Sequence, residues 1–553
     1  MNKKVCSFPI LFALLALLIG ICAVVFPASA QAAPTSAGSI TVSGTVASSY
    51  DAYQIFSANV VDGDSDAKIA TALAWASDAV RDAALPVLHS AGMPNSQTTA
   101  QEAAEWLNTD SHLTSALSAQ LARSLQSSGA EPVALNAGTA AELPCGYWLI
   151  VAKDDAIAQG EVGTAPIMAL VGGSAVTVKP KAATPKVVKH VLEDSTAAWQ
   201  KAADATVADD LYWRLSATVP AGLTAYDTYT VRFVDTMSAG LDPSKVAASM
   251  HVYVAAGAEG GFGAVACEDG NVSSTPAKGW TDITLQCKVS VEGSTFTVRT
   301  GDLIAALGGA DAFTAGARVV AVYNAPLTSA CNHGITKGNP NEVYLRYPRS
   351  PFADQSGDAG FTRTPSDDAC AYTWDLALTK RGSDGDKPLA GAVLSIADDR
   401  GRTLAADGTW DAEGKATVTT GEDGRVTVSG VDSGKLEVRE LKAPKGYTAF
   451  EGTCSVTVKT EGLDVDQVAA AKPKLTVTAE SPLRADSADG STGSLEASLI
   501  NTPTGTPPSI TTGGFMPSTG DMAMYAAAAA AVAGAALIVV ALLVKRGGGS
   551  HKE

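Results

Sequence analysis

The stretch YTWDLALTK, residues 372–380, decides how this chain is read. Leu376, Leu378 and Lys380 fall on one face of an extended strand, because successive strand side chains point to opposite sides. Lys380 therefore points where the two leucines point, toward a core, and a bare ammonium there is expensive. Two more positions share the anomaly. In LEVRE, residues 436–440, Glu440 is in phase with Leu436 and Val438, and Asn501 closes the last strand directly after Ile500. A buried salt bridge, or a lysine that snorkels out to water, would fit the same spacing.

The surrounding sequence narrows the choice. PLAGAVLSI (388–396), TTGEDGRVTVSGVDSGKLEVRELKAPKGYT (419–448) and SLINTP (498–503) together resemble the SpaA/CnaB-type domain of Gram-positive pilins, over most of residues 372–502. The resemblance implies a β-sandwich with a spontaneous intramolecular isopeptide bond, in which Lys380 attacks Asn501 and Glu440 assists. An apolar pocket favours the neutral forms of an amine and of a carboxylic acid. The neutral amine is a nucleophile. The acid can polarise the amide carbonyl and pass protons while ammonia leaves. Folding holds the partners together. The reaction runs once per molecule, so it is self-processing and not turnover.

Upstream, VVKHV (187–191) puts Lys189 in phase with Val187 and Val191, and FVDTM (233–237) supplies Asp235. These resemble the lysine and aspartate of the CnaA-like isopeptide domain of backbone pilins. That family ends near Leu-Glu-Tyr-Ser-Asn, whereas this chain has Leu345-Arg346-Tyr347-Pro348-Arg349-Ser350, so Arg349 or Ser350 stands at the asparagine's place. Asn339 and Asn341 are nearby but shifted. Either one of them substitutes, or this domain has no crosslink and Lys189 with Asp235 is an ion pair. Residues 182–351 are predicted to be a sandwich, by alternation and frequent turns. Residues 351–368 are polar and read as a connector.

The first domain, residues 34–181, has strand alternation at 40–42, 53–56, 146–151 and 175–178. Ala-rich runs at 70–88 and 99–126 predict a helical insertion. Its end, Val176-Thr177-Val178-Lys179-Pro180-Lys181, resembles the pilin motif, usually Val-x-Val-Tyr-Pro-Lys, with Lys179 in place of tyrosine. The resemblance makes Lys181 the amine that a sortase would join to another subunit. Lys179 and Lys186 compete for the role, and a solvated surface lysine is the alternative.

Both termini carry signals. Lys3 and Lys4, an apolar run from Ile10 to Phe26 and small residues from Ala28 to Ala33 predict a secretory signal peptide, residues 1–33. At the other end, residues 503–515 read as a Pro/Thr/Gly-rich linker. Met522 to Val544 holds 23 residues without a charge, enough for one transmembrane helix, followed by Lys545 and Arg546. Directly before it stands Met516-Pro517-Ser518-Thr519-Gly520. Pentapeptide, apolar helix and basic end resemble the cell-wall sorting signal (516–553) of Gram-positive surface proteins, usually Leu-Pro-x-Thr-Gly. The resemblance implies that a sortase cysteine attacks the Thr519 carbonyl and that Gly520 departs with the helix.

Net charge is −17 over 553 residues, which leaves no basic stripe for nucleic acid. No Ser/His/Asp or HExxH pattern marks an enzyme, and no CxxC marks a zinc site. No cofactor or metal is expected. Cys6 and Cys22 leave with the signal. Of the six that remain, Cys267 and Cys287 flank an expected hairpin and form the first expected disulfide; Cys331 with Cys370 is the second. Cys145 reads as a buried strand-end cysteine. The expectation is therefore an all-β chain of tandem immunoglobulin-like (Cna-type) β-sandwich domains, the first with a helical insertion, plus one C-terminal transmembrane helix. The resemblances imply a structural shaft subunit of a pilus. Its partners would be further copies of itself, pilus-specific and housekeeping sortases, peptidoglycan, minor pilins and host receptors. A singly anchored adhesin or minor pilin with the same domains is the alternative.

Overall fold

Most of the chain's period-two segments become strands in the computed structural model, which describes residues 37–505 apart from 65–66, 110–111, 181–182 and 269–270. Near the N-terminus a three-stranded sheet (Ala140–Pro144, Ala37–Val42, Val176–Val178) faces a five-stranded sheet built around Ser49–Asp62 and Gly146–Ala152. Every residue of GYWLIVA, 146–152, is buried because this second sheet is covered on both faces. Trp148 and Ile150 pack toward the small sheet; Tyr147, Leu149 and Val151 pack against helices. The helices are Asp78–Ser90, Ala100–Asn108 and Ser115–Ser127. Ser77, Thr99 and Thr114 cap their first turns, and Glu102 completes a capping box with Thr99.

The helical reading of residues 70–88 needs correction at its start. Lys68–Trp75 is a strand hydrogen-bonded to Ser49–Asp62. An open sheet edge and the docking of Trp75 on Phe56, ring centroids 4.8 Å apart, outweigh the helix propensity of its alanines. The run expected at 99–126 is likewise two helices.

Next, a six-stranded sheet (Ala198–Gln200, Lys186–Glu193, Tyr212–Val219, Ala317–Asn324, His251–Ala256, Thr281–Asp282) packs on a seven-stranded one. Trp213, Tyr229, Phe233, Phe296, Tyr323 and Tyr347 fill the space between them. The seven-stranded sheet includes Arg232–Met237, Asn339–Pro348, Phe361–Arg363 and Asp367–Tyr372. Residues 351–368 are therefore more than a connector, because they lead into two strands of this sheet. Only Thr373 separates that sheet from the next sandwich.

There, Arg425–Val431, Trp374–Gly382, Ser494–Asn501 and Leu483–Asp489 form a four-stranded sheet, in that order. The facing sheet carries Val393–Ala397, Gly434–Lys442 and Cys454–Glu461. First and last strands are parallel neighbours, with Lys380 opposite Leu499 and Gly382 opposite Asn501. Gly424, at φ +74°, lets the turn before Arg425 press on the first strand, since a Cβ there would lie 2.9 Å from the Lys380 carbonyl oxygen.

The second and third sandwiches meet at a buried carboxylate. Asp204 Oδ2 accepts from Trp374 Nε1 (2.7 Å), from the Ser433 N–H (2.9 Å) and hydroxyl (2.8 Å), and from the Thr460 hydroxyl (2.8 Å). Glu193 is buried beside it and accepts from the Asp204 N–H. Burial first, and the Asp204 charge second, raise the Glu193 pKa. Asp194 and Asp432 of the same cluster are raised too, by burial, and Arg400 and Arg402 pair with Asp209 at its rim.

A prediction follows with a definite sign. Above the ordinary carboxyl range the folded chain holds the Glu193 proton and the unfolded chain has released it. At this site unfolding therefore releases a proton, and the Glu193 contribution to stability falls as pH rises from about 5 to 8. Glu193→Gln should flatten this slope, by on the order of 2 kcal/mol over that range. Denaturant midpoints measured across pH for both chains check it.

Candidate functional site

The third sandwich brings together Lys380 and Glu440, singled out by strand phase, and Asn501, which closes the last strand. Lys380 sits on the first strand and Asn501 on its parallel neighbour, while Glu440 arrives from the facing sheet, opposite Leu394. Their exposures are 0 %, 3 % and 6 % respectively. Lys380 Nζ lies against Asn501 Oδ1 and is 3.3 Å from Glu440 Oε1. Asn501 Nδ2 donates to both Glu440 oxygens, at 2.9 and 3.0 Å, and the Phe450 N–H donates to Oε2 at 2.7 Å. Burial pushes the Lys380 pKa down to about 8, against the pull of the Glu440 charge. A usable fraction of neutral amine therefore exists near neutral pH. The loop after Glu440 folds back over the pocket, where Tyr447 bridges Pro503 and the Thr448 N–H bonds to Thr502.

The second sandwich holds a similar set, arranged across its two sheets. Lys189 rises from the six-stranded sheet opposite Leu215. Asp235 and Asn341 project from neighbouring strands of the other sheet; Asn341 pairs with Met237, which puts it on the same face as Asp235. All three are fully buried. Lys189 Nζ forms an ion pair with Asp235 Oδ2. Burial lowers the Lys189 pKa to about 8 and raises that of Asp235, with each group's charge opposing the shift of the other.

Asn341 is thus the asparagine brought to Lys189. Asn339 is buried elsewhere, bonded to both backbone groups of Asn332 and to the Ala371 carbonyl. Arg349 and Ser350 do not take the asparagine's place either: both bond to Asp154 of the first sandwich. Sequence reading missed Tyr323. Its hydroxyl accepts from Lys189 Nζ (2.8 Å) and Asn341 Nδ2 (2.8 Å) and donates to Asp235 Oδ2 (3.1 Å). The available signal was its phase with Val319 and Ala321, which places a polar tip inside the core.

Of the sortase residues, Lys181, Thr519 and Gly520 lie outside the described residues, as do the signal peptide and Met522–Val544. Lys179 and Lys186, the competing amines, are exposed. Among the described residues no helix is long and apolar enough to cross a membrane.

The disulfide expectations are corrected: Cys267, Cys287, Cys331 and Cys370 are free thiols. Cys267 lies beside Trp199 and Arg214, on the outer face of the six-stranded sheet. Cys287 packs against the inner core and turns its thiol to the Ile283 carbonyl, 3.2 Å away. Cys331 also belongs to that core, whereas Cys370, out of phase with Ala369 and Ala371, packs with the third sandwich.

A tandem β-sandwich chain with buried lysine–acid–asparagine clusters is the class that fold and site define. Residues 375–472 match the model of the SpaA prealbumin-like fold domain; the span includes Lys380 and Glu440 and stops before Asn501. The trypsin-resistant surface T6 protein of Streptococcus pyogenes serotype M6 is 30 % identical over 129 residues, which is 22 % of this chain and 22 % of that protein. The chain thus matches about a fifth of the length of this curated relative. Among solved structures, the T6 backbone pilin of S. pyogenes is 16 % identical, with 85 % of this chain and 98 % of that one covered and a TM-score of 0.45. The major pilin SpaD of Corynebacterium diphtheriae is 15 % identical, covering 85 % and 98 %, with a TM-score of 0.41.

Burial raises the thiol pKa of Cys287, Cys331 and Cys370 to about 11 and raises that of Cys267 less far. The four should resist alkylation in the folded chain and be fully alkylated in denaturant without reductant. Peptide mapping that finds any of them blocked until reductant is added would contradict this.

Proposed function

We propose that the chain is the backbone subunit of a sortase-assembled pilus on a Gram-positive cell, stiffened by intramolecular isopeptide bonds. The observation that carries this is the buried Lys380–Glu440–Asn501 cluster between the first and last strands of a SpaA-type domain. Neutral Lys380 Nζ attacks the Asn501 side-chain carbonyl carbon. A carbon–nitrogen bond forms to Nζ and the bond to Nδ2 breaks. One proton moves from Nζ to Nδ2, and ammonia leaves. Glu440, hydrogen-bonded to the departing nitrogen and close to the attacking one, carries that proton. Lys189, Asp235 and Asn341 run the same reaction in the second sandwich.

Polymerisation is a separate event between copies. A sortase cleaves after Thr519, releases Gly520 with the apolar tail and transfers the Thr519 acyl group to Lys181 of the next subunit. The signal peptide exports the precursor, and the tail holds it at the membrane until transfer. The housekeeping sortase finally joins the fibre to peptidoglycan. Minor pilins and host receptors complete the expected partners. Each subunit is organised as three sandwiches, residues 34–181, 182–372 and 374–502. The chain turns over no substrate.

Two measurements test this. Each internal bond removes one ammonia, so the chain should weigh about 34 Da less than its sequence, and Glu440→Gln should regain about 17 Da. By analogy with disulfides closing loops of this length, losing the Lys380–Asn501 tie should cost about 4–5 kcal/mol, a fall on the order of 20 °C in the third sandwich's midpoint. On cells, Lys181→Ala should abolish the high-mass ladder of cell-wall extracts while single subunits remain anchored. A ladder that persists in Lys181→Ala rules out Lys181 as the acceptor.

A further inference from the structure

We infer that Tyr323 is a catalytic residue of the second sandwich, a proton relay between Lys189 Nζ and Asn341 Nδ2. The inference rests on the reading that these two residues form an isopeptide bond. Joining an amine to a side-chain amide demands one proton transfer. The lysine amine has two hydrogens and the amide product keeps one; the departing nitrogen carries two and leaves as ammonia with three. One proton must pass from the attacking to the departing nitrogen.

In the third sandwich Glu440 can do this alone. Its carboxylate bonds directly to Asn501 Nδ2 and stands 3.3 Å from Lys380 Nζ. Asp235 is one methylene shorter. Its Oδ2 bonds to Lys189 and to the phenol, while Asn341, the least of the groups that pull its pKa down, stands near the carboxylate without a hydrogen bond of normal geometry to Oδ1. The phenol oxygen fills the gap, 2.8 Å from each reacting nitrogen. Its hydrogen-bonding capacity is fully used, with two donors received and one proton given to Asp235. Phe296 fixes the ring edge-on, with centroids 4.7 Å apart, and Tyr323 is fully buried.

The step balances. When Nζ has attacked, Nδ2 becomes tetrahedral and its lone pair can accept a hydrogen bond. The phenol O–H turns from Asp235 to Nδ2 and delivers its proton, while the oxygen takes one from Nζ. Ammonia departs, the amide forms, and Tyr323 ends as the neutral phenol it was. Burial, and then the Asp235 charge, hold its pKa well above 10, so it enters the reaction protonated.

The test follows the full chain, isolated unbranched in denaturant and diluted into detergent buffer to start folding. Peptide mapping then measures two branched fragments in the same molecules, Lys189–Asn341 and Lys380–Asn501. In Tyr323→Phe the first should form at least tenfold more slowly, at the low end of general acid–base effects or below, and the second at the wild-type rate. Wild-type speed for the first branch in Tyr323→Phe overturns the relay alone. A wild-type chain that forms the Lys380–Asn501 branch but never the Lys189–Asn341 one overturns the underlying reading with it. A second measurement needs no variant. Two protons move through the phenol, so the wild-type rate of the first branch should curve with the deuterium fraction of the solvent; a straight line overturns the relay.

Discussion

A lysine amine cut off from water is the constraint on which the second and third sandwiches are built. Removing an ammonium from solvent costs several kcal/mol even with a partner present. Lys189 and Lys380 both meet that condition, and both have their pKa lowered by it. The fold could neutralise each with a carboxylate alone. Instead each pocket adds an asparagine amide, which an ion pair does not require. Burial shifts the amine toward its neutral, nucleophilic form, so the feature that destabilises the unreacted site also prepares its reaction. The proposed amide carries no charge, which would remove the lysine's share of the desolvation cost.

The two clusters tie the chain differently. Lys380 and Asn501 stand on adjacent parallel strands of one sheet, separated by 121 residues. Once they are joined, tension entering at Trp374 crosses to the last strand and leaves past Thr502 without loading residues 381–500. Lys189 and Asn341 stand on opposite sheets, so their bond would close the sandwich across its core. The acid changes with the geometry. A glutamate reaches across from the facing sheet in one case; in the other an aspartate on the asparagine's own sheet needs Tyr323 beside it.

Much of this was legible in the sequence because strand phase is a strict signal. Lys380 and Glu440 each broke an alternation of apolar residues, Asn501 closed the last strand, and the structure brings the three together. Lys189 was found by phase too, whereas Asp235 rested on the resemblance. The choice between Asn339 and Asn341 was not legible, since both share one phase and only pairing with Arg232–Met237 separates them. Tyr323 passed as core because tyrosine is at home there. The cysteine pairs failed because nearness along the chain says nothing about which face of a sheet a thiol occupies. Lys68–Trp75 failed because alanine takes the form its neighbours impose.

If the proposed ties form, the joints between sandwiches are the places that noncovalent contacts alone hold. The first joint rests on Asp154, which accepts from Arg349 and Ser350, and on the Gly163 N–H bonded to the Arg349 carbonyl. The second rests on Asp204, which gathers four donors from the third sandwich onto one oxygen. Buried hydrogen bonds of this kind are worth more than exposed ion pairs such as Lys459–Glu461. Yet they hold only while the carboxyl stays in its pocket among other acids. Under the proposed linkage at Lys181 and Thr519, load would cross the Asp204 joint between the second and third sandwiches, which would open before either tied sandwich unfolds and would close again when the donors found Asp204.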